Sequence, residues 1–261
     1  MDIKDNLRVT LSLFDPVWES PVQNRLQLQE QILDLTGKSD LVILPETFNT
    51  GFSNRASELA EPMDGPTVEW MVKLSEQSGL AIGGSLLVRD KDFIINRFVF
   101  VNPQGERCCY DKRHLFSIGG ESDLLKTGSR RVTVNYLGWK ITLYICYDLR
   151  FPVWCRNTDD TDLMIFTANW PHSRREVWNI LLKARAIENQ VYVAGVNRIG
   201  TDGNGLTYMG DSQLINARGE ALQSEEQPTN GWLSYRISKK ELTDFRERFP
   251  VLKDADRFLI T

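Results

Sequence analysis

Cysteine and histidine are both scarce in this chain of 261 residues, with four of the first and two of the second. Cys108, Cys109, Cys146 and Cys155 are too few and too irregularly spaced to staple a chain of this length, so they are expected as thiols. No C-x-x-C step occurs, and Cys108-Cys109 with His114 lacks a second ligand cluster, so neither a metal site nor any other cofactor is expected. Long apolar runs are missing too. No stretch approaches the roughly 20 residues of a membrane helix, and Met1-Asp2-Ile3-Lys4-Asp5 lacks the charged-then-apolar layout of a signal peptide. A membrane is therefore not an expected partner, and the cytoplasm is the expected location. Positive charge is not in excess: 31 Lys and Arg stand against 35 Asp and Glu. No basic run is present to neutralise a track of phosphates, which argues against nucleic acid as a partner.

Low-complexity segments, repeats and shifts of composition are absent as well, so residues 1–261 are expected as a single domain. A chain of this size can bury a core large enough to enclose a dry pocket. Strands are expected over Leu7 to Phe14, Asp40 to Pro45, Leu80 to Val88, Phe93 to Asn102, Val132 to Tyr136, Lys140 to Cys146, Asp162 to Thr167, Val191 to Asn197 and Trp232 to Ile237. Four of these are short apolar runs with little alternation, as in Leu41-Val42-Ile43-Leu44 and Leu163-Met164-Ile165-Phe166, and such runs belong in sheets covered on both faces. Asn102-Pro103-Gln104-Gly105 and Leu137-Gly138-Trp139 read as turns between paired strands. Helices fit over Val22 to Leu35, Thr67 to Ser78, Arg174 to Asn189 and Lys239 to Arg248. In the third, Val177, Ile180, Leu181, Ala184 and Ile187 recur at helical spacing as the expected packing stripe, with Ser173 as the expected N-cap. Covered sheets and amphipathic helices together predict a mixed α/β layered sandwich.

Three of the apolar strands run into polar residues that packing does not require: Glu46, Cys146 and Asn169. Ligands of open α/β sheets bind at the carboxyl ends of strands. A thiol at a strand end is often plain core filling, but here Tyr147, Asp148 and Arg150 follow at once, so the strand stops at the sulfur, as a nucleophile requires. Cysteine nucleophiles usually borrow a histidine as base. With only His114 and His172 available, Glu46 is the better candidate, because a desolvated carboxylate takes a proton more readily; its bland alternative is a surface salt bridge. Lys112 is the candidate cation: beside the sulfur it would favour the thiolate and stabilise an oxyanion, with the Tyr147 amide as a second donor. Its alternative is a solvated surface lysine.

The segments Leu44-Pro45-Glu46-Thr47-Phe48, Lys112-Arg113-His114-Leu115-Phe116 and Cys146-Tyr147-Asp148-Leu149-Arg150-Phe151-Pro152 resemble, in that order, the three motifs of the nitrilase, or carbon-nitrogen hydrolase, superfamily. Ala168-Asn169-Trp170-Pro171, Ala184 to Gln190 and Asn197-Arg198 through Gly210-Asp211-Ser212 extend the likeness over nearly the whole chain, and it is nearest to the bacterial omega-amidase branch. The resemblance implies a four-layer α-β-β-α sandwich that forms a homodimer or higher homo-oligomer across an α-layer. It implies Glu46 as general base, Lys112 as oxyanion stabiliser, Cys146 as nucleophile, and Glu121 as a second glutamate positioning Lys112. The activity implied is hydrolysis of the terminal amide of a small 2-oxo acid amide such as 2-oxoglutaramate. Alternatives are an N-carbamoyl amidohydrolase, an aliphatic amidase, a nitrilase, or a non-catalytic binding protein on the same fold.

A small acid amide needs a cation for its carboxylate, and Arg150, Arg174, Arg175 and Arg198 are the candidates near the strand ends. Arg150 has a competing reading as an internal partner of Asp148 or Glu188. Tyr147 and Asn169 are further candidates for substrate contact. Phe116, Trp170 and Phe48 are expected to wall the pocket, since an amide carbonyl activated by fixed charges benefits from excluded water.

Overall fold

The structure is a computed structural model and describes residues 3–225 and 231–260. Its first part runs β1 (Asn6–Ser12), α1 (Pro21–Leu33), β2 (Leu41–Ile43), α2 (Ala56–Leu59), α3 (Pro66–Ser78), β3 (Ala81–Asp90), β4 (Phe93–Val101), β5 (Arg107–Asp111) and α4 (Glu121–Leu124). The second part runs β6 (Thr133–Tyr136), β7 (Trp139–Ile145), β8 (Leu163–Ala168), α5 (Arg175–Asn189), β9 (Tyr192–Asn197), β10 (Ile199–Thr201), β11 (Thr207–Met209), β12 (Gln213–Ile215), β13 (Trp232–Ser238) and α6 (Lys239–Arg248).

Two large sheets result, with strand orders β13-β1-β2-β3-β4-β5 and β12-β9-β8-β7-β6, and β10 and β11 pair as a separate two-stranded sheet. Each has a parallel centre, β1-β2-β3 in one and β7-β8-β9 in the other, with antiparallel strands outside. The pleat sends alternate side chains to opposite faces. In β4, Phe98 and Phe100 enter the core between the sheets, while Val99 and Val101 enter the core beneath α1 and α3. Phe100 meets Tyr136 edge-on at 5.7 Å and Tyr110 meets Tyr144 at 6.0 Å, stitching one sheet to the other. Leu28 and Ile32 of α1 with Val68, Met71 and Leu74 of α3 cover one outer face; Trp178, Leu182 and Ala186 of α5 cover the other. The layers are therefore helix, sheet, sheet, helix, as the resemblance implied.

Local chemistry accounts for the element ends. Pro21 and Pro66 open α1 and α3, where a missing N–H is harmless. α3 stops at Gly79, whose backbone is left-handed at φ 70°. The hairpin between β6 and β7 turns on Leu137 and Gly138, both at positive φ. Gly195 of β9 is a close approach: a Cβ there would lie 2.4 Å from Leu182 and 2.9 Å from Trp178.

Two expectations for α5 are corrected. Ser173 does not cap it; it lies inside a short 3-10 turn, His172–Arg174, that precedes the helix. The buried face is Trp178, Leu182, Arg185, Ala186 and Asn189. Ile180 and Ile187 are 63% and 53% exposed. The inward face carries polar residues because each has a partner: Arg185 donates to the Leu149 carbonyl at 2.7 Å and to Glu188 at 2.8 Å, and Asn189 to the Cys155 carbonyl at 3.1 Å.

Candidate active site

The apolar run of β2 ends at Pro45-Glu46, and the chain then reverses through Thr47, held at φ 45°. The Ser85 hydroxyl of β3 accepts the Thr47 N–H at 3.0 Å and fixes that reversal. Glu46 is thereby turned inward and has no solvent exposure. Across the sandwich, the Asn169 N–H that follows β8 donates to Glu46 Oε2 at 2.8 Å, and Asn169 Nδ2 donates to the Glu46 carbonyl at 2.9 Å. The carboxyl ends of β2 and β8 thus meet at one carboxylate.

Lys112, one residue past β5, is fully buried and lies between two carboxylates. Its Nζ is 2.8 Å from Glu46 Oε1, 2.9 Å from Glu121 Oε1 and 2.8 Å from Glu121 Oε2. Glu121 opens α4 and also accepts the Phe116 N–H at 2.6 Å. Desolvation works against the Lys112 ammonium, yet Glu121 and then Glu46 outweigh it, so its proton is held more tightly than in water. A buried charge is tolerable only when paired and hydrogen-bonded in this way.

Cys146 directly follows β7, has φ 45° and starts a 3-10 turn, Cys146–Arg150. A left-handed backbone at a cysteine is strained and persists only where its surroundings enforce it. The buried Asp148 does so. It accepts the Ile145 N–H at 3.0 Å, the Tyr110 hydroxyl at 2.7 Å, the His114 N–H at 3.0 Å and makes a 2.8 Å contact with His114 Nδ1. One carboxylate therefore closes the cysteine turn and clamps it to the segment bearing Lys112. His114, stacked on Phe151 at 3.7 Å, is engaged with Asp148, and His172 is exposed outside the cleft.

Burial pushes the Cys146 thiol well above its ordinary value; Glu46 adds to this, Lys112 opposes it, and Glu121 and a hydrogen bond to Glu46 raise it further. Lys112 favours the thiolate, as expected, but burial and the two glutamates outweigh it. Two carboxylates bracket the single ammonium, and these surroundings favour the protonated thiol over the thiolate. The sulfur can become a nucleophile only as its proton leaves.

The cleft above the sulfur encloses about 480 Å³ including its open mouth. Glu46, Lys112, Cys146, Tyr147, Phe116, Trp170, Asn169, Arg150 and Arg174 all line it, and Glu121 stands behind Lys112. Phe48 does not. It is fully buried against Trp70 at 6.0 Å, in the core under α1 and α3, because the reversal at Thr47 sends it back under the sheet. Phe52 takes the wall position instead, its ring 5.8 Å from Lys112 Nζ. Leu206 and Tyr208, from the β10–β11 hairpin, close another side. These residues, and Asn96 of β4, which donates to Glu46 Oε1 at 2.8 Å, were not anticipated. Tyr208 and Leu206 carry no motif, and Asn96 stands within an apolar strand; the inward-facing amide between Ile95 and Phe98 was the one available signal.

The four arginines divide cleanly. Arg175 pairs with Asp211 at 2.6 Å and Arg198 with Asp15 at 2.6 Å. Among the described residues, Arg150 and Arg174 have no carboxylate partner: Asp148 is taken by Tyr110 and His114, and Glu188 by Arg185. Each guanidinium instead lies over an aromatic ring, Arg150 over Trp170 at 5.1 Å and Arg174 over Phe116 at 5.2 Å. The competing reading of Arg150 as an internal ion-pair partner is therefore not what the structure contains. Among the described residues, no group of three or more His, Cys, Asp or Glu side chains is arranged to hold a metal ion, and no helix is long and apolar enough to cross a membrane.

This arrangement can accept a thiol proton, hold an oxyanion and exclude water from one wall. Comparison with known proteins agrees with it. The family model described as carbon-nitrogen hydrolase matches residues 14–247. The chain is 42% identical over 252 residues to omega-amidase YafV of Escherichia coli, covering 97% of this chain and 98% of that protein. It is 31% identical over 251 residues to the 2-oxoglutaramate amidase of Bacillus subtilis, covering 94% and 96%. Among solved structures, XC1258 of Xanthomonas campestris, a carbon-nitrogen hydrolase superfamily protein with an arsenic adduct in its active site, superposes with a TM-score of 0.95 at 43% identity, covering 99% and 100%. With a nearly full-length match in sequence and the same two-sheet sandwich, this chain is an enzyme of the carbon-nitrogen hydrolase family.

Proposed function

We propose that the cleft hydrolyses the terminal amide of a small 2-oxo dicarboxylic acid amide, with 2-oxoglutaramate as the reference substrate, through a thioester on Cys146. The observation that carries this reading is the convergence of Glu46, Lys112 and Cys146 beneath a cleft that also presents two guanidinium groups without carboxylate partners. In the cycle, the Cys146 proton passes to Glu46 as the sulfur–carbon bond forms. The oxyanion is held by Lys112 and the Tyr147 N–H. Glu46 returns the proton to nitrogen, the carbon–nitrogen bond breaks and ammonia leaves. Water then adds to the thioester, giving its proton to Glu46; the sulfur–carbon bond breaks and the thiol recovers that proton as the acid departs.

Glu121 positions Lys112, which it grips with both oxygens. Phe116, Trp170 and Phe52 wall the acyl group, Asn169 orients Glu46, and Arg150 and Arg174 receive the distal carboxylate. The names of the relatives support the substrate class, and the two guanidiniums support a substrate with an anionic end. Ammonia release from 2-oxoglutaramate, from a carbamoyl amine and from a simple nitrile, at equal concentration, tests it. A clear preference for either of the last two would replace the omega-amidase reading by another carbon-nitrogen hydrolase activity.

Residues 1–261 act as one domain in this reading, working in a reducing compartment such as the cytoplasm that keeps Cys146 a thiol. Ile180 and Ile187, exposed on the outer face of α5, support pairing with a second copy across that helix layer.

A further inference from the structure

Glu46 has two carboxylate oxygens, and the protein treats them differently. Oε1 accepts from Lys112 Nζ at 2.8 Å and from Asn96 Nδ2 at 2.8 Å, which occupies both of its lone pairs. Oε2 accepts one short bond, from the Asn169 N–H at 2.8 Å, and a longer one from Asn169 Nδ2 at 3.4 Å. Asn96 is itself fully buried in the middle of β4, and its Nδ2 also reaches Glu121 Oε1 at 3.5 Å. Its own carbonyl oxygen has no hydrogen-bond partner.

The amide orientation follows from chemistry. Reversing it would press the Asn96 oxygen against oxygens of two carboxylates, whereas the present one directs its N–H groups at both. An orphaned buried acceptor destabilises the fold, so a residue kept only for packing would be better served by a leucine. The donor side is what this position contributes.

From this geometry we infer that Asn96 is a positioning residue of the hydrolytic reaction, which fills Oε1 of Glu46 and reserves Oε2 for the proton that Cys146 gives up. The inference rests on the general-base reading of Glu46. The groups facing that carboxylate are Lys112 beyond β5, Glu121 of α4 and Cys146 at the end of β7, with the neutral Asn96 from β4 and Asn169 beyond β8. Only Lys112 is cationic among them. Without the Asn96 donor, Glu46 is held as an anion by one neighbour fewer on Oε1, and its proton affinity rises. A base with higher proton affinity is idle over a wider acidic range.

The test is the pH profile of kcat/KM for 2-oxoglutaramate in the native enzyme, Asn96→Leu, Asn96→Asp and Glu46→Gln. Asn96→Leu removes the donor, and Asn96→Asp keeps the shape while setting a further acidic group against Oε1; the second serves if the first does not fold. Both are expected to move the acid limb to higher pH by about one unit, which lowers kcat/KM about tenfold on the acid side of the native limb, with KM little changed. A packing role would lower the amplitude and leave the limb in place. An acid limb that coincides with the native one in every folded Asn96 variant, with Glu46→Gln inactive, overturns this inference alone. Near-native turnover by Glu46→Gln overturns the general-base reading and this inference with it.

Discussion

The Tyr110 hydroxyl donates to Asp148 at 2.7 Å, joining residues 38 positions apart. Tyr110 lies two residues before Lys112 and Asp148 two residues after Cys146, so this bond ties the segment of the ammonium to the turn of the sulfur. The same hydroxyl accepts the Trp154 Nε1–H at 3.0 Å and the Arg113 N–H at 3.2 Å.

Tyr110→Phe should lower stability by about 1–3 kcal/mol, the usual result of leaving buried polar groups without partners. Urea denaturation reads this directly. Turnover should fall several-fold in the folded variant, because the Cys146 turn loses one of its anchors. A midpoint and a rate equal to those of the native protein would show that the tie is dispensable.

Cys146→Ala should stay folded, lose turnover by a factor on the order of 10⁶, and show no acyl adduct by mass spectrometry after mixing with substrate. Cys108→Ala is the suitable control, since that thiol is only partly buried and is not part of the cleft lining. Cys155→Ala is a poorer one: the side chain is fully buried and its sulfur lies 3.2 Å from the Asp148 carbonyl oxygen. Residual hydrolysis by the Cys146 variant near the native rate would remove the thioester mechanism.

Arg150→Met and Arg174→Met separate the recognition of charge from the chemistry. For 2-oxoglutaramate, at least one of them should raise KM roughly tenfold to a hundredfold, as expected for loss of a charge-assisted hydrogen bond. For a neutral amide of similar length the change should be small. Equal effects on both substrates would mean that neither guanidinium reads the carboxylate.

Alkaline destabilisation has a named contributor in Cys109. Burial is the main cause that pushes this thiol from 9.0 to about 11 in the folded protein. The fold favours the protonated thiol, so its contribution is intact below pH 9 and is lost as pH rises from 9 to 11, where the unfolded chain ionises first. Urea midpoints at pH 8 and pH 11 should therefore differ less in Cys109→Ala than in the native protein. An identical difference would assign the pH dependence to other groups, Tyr136 among them, whose hydroxyl is pushed up to about 12, chiefly by burial.

Much of the sandwich is legible in the chain because the strands of the parallel centres are apolar on both sides, as Leu41-Val42-Ile43-Leu44 is, and such runs have no other stable place. β5 was missed because it is an edge strand with Arg107 and Asp111 at its ends, which reads as surface rather than sheet. The α5 stripe was right in part: Val177 and Leu181 pack against the core, but Ile180 and Ile187 face outward, because the buried face includes Arg185 and Asn189, which are satisfied by carbonyls distant in sequence. Phe48 went to the wrong side of the sheet for a similar reason: nothing local announces that Thr47 adopts a left-handed backbone.

What the sequence by itself determined is the set of chemical groups and their order along the chain: Glu46 and Cys146 follow apolar strands that are legible as such, whereas Lys112 stands out only by its motif, the strand before it being β5. Only the tertiary structure decided their state. Burial, with two carboxylates around one ammonium, raises the proton affinity of the Cys146 thiol, Asn96 and Asn169 divide the oxygens of Glu46 between them, and ion pairing elsewhere withdraws Arg175 and Arg198 while leaving Arg150 and Arg174 in the cleft. Charge, hydrogen bonding and desolvation depend on distances of a few ångströms between residues as far apart as 183 positions along the chain, and a linear pattern carries no record of those distances.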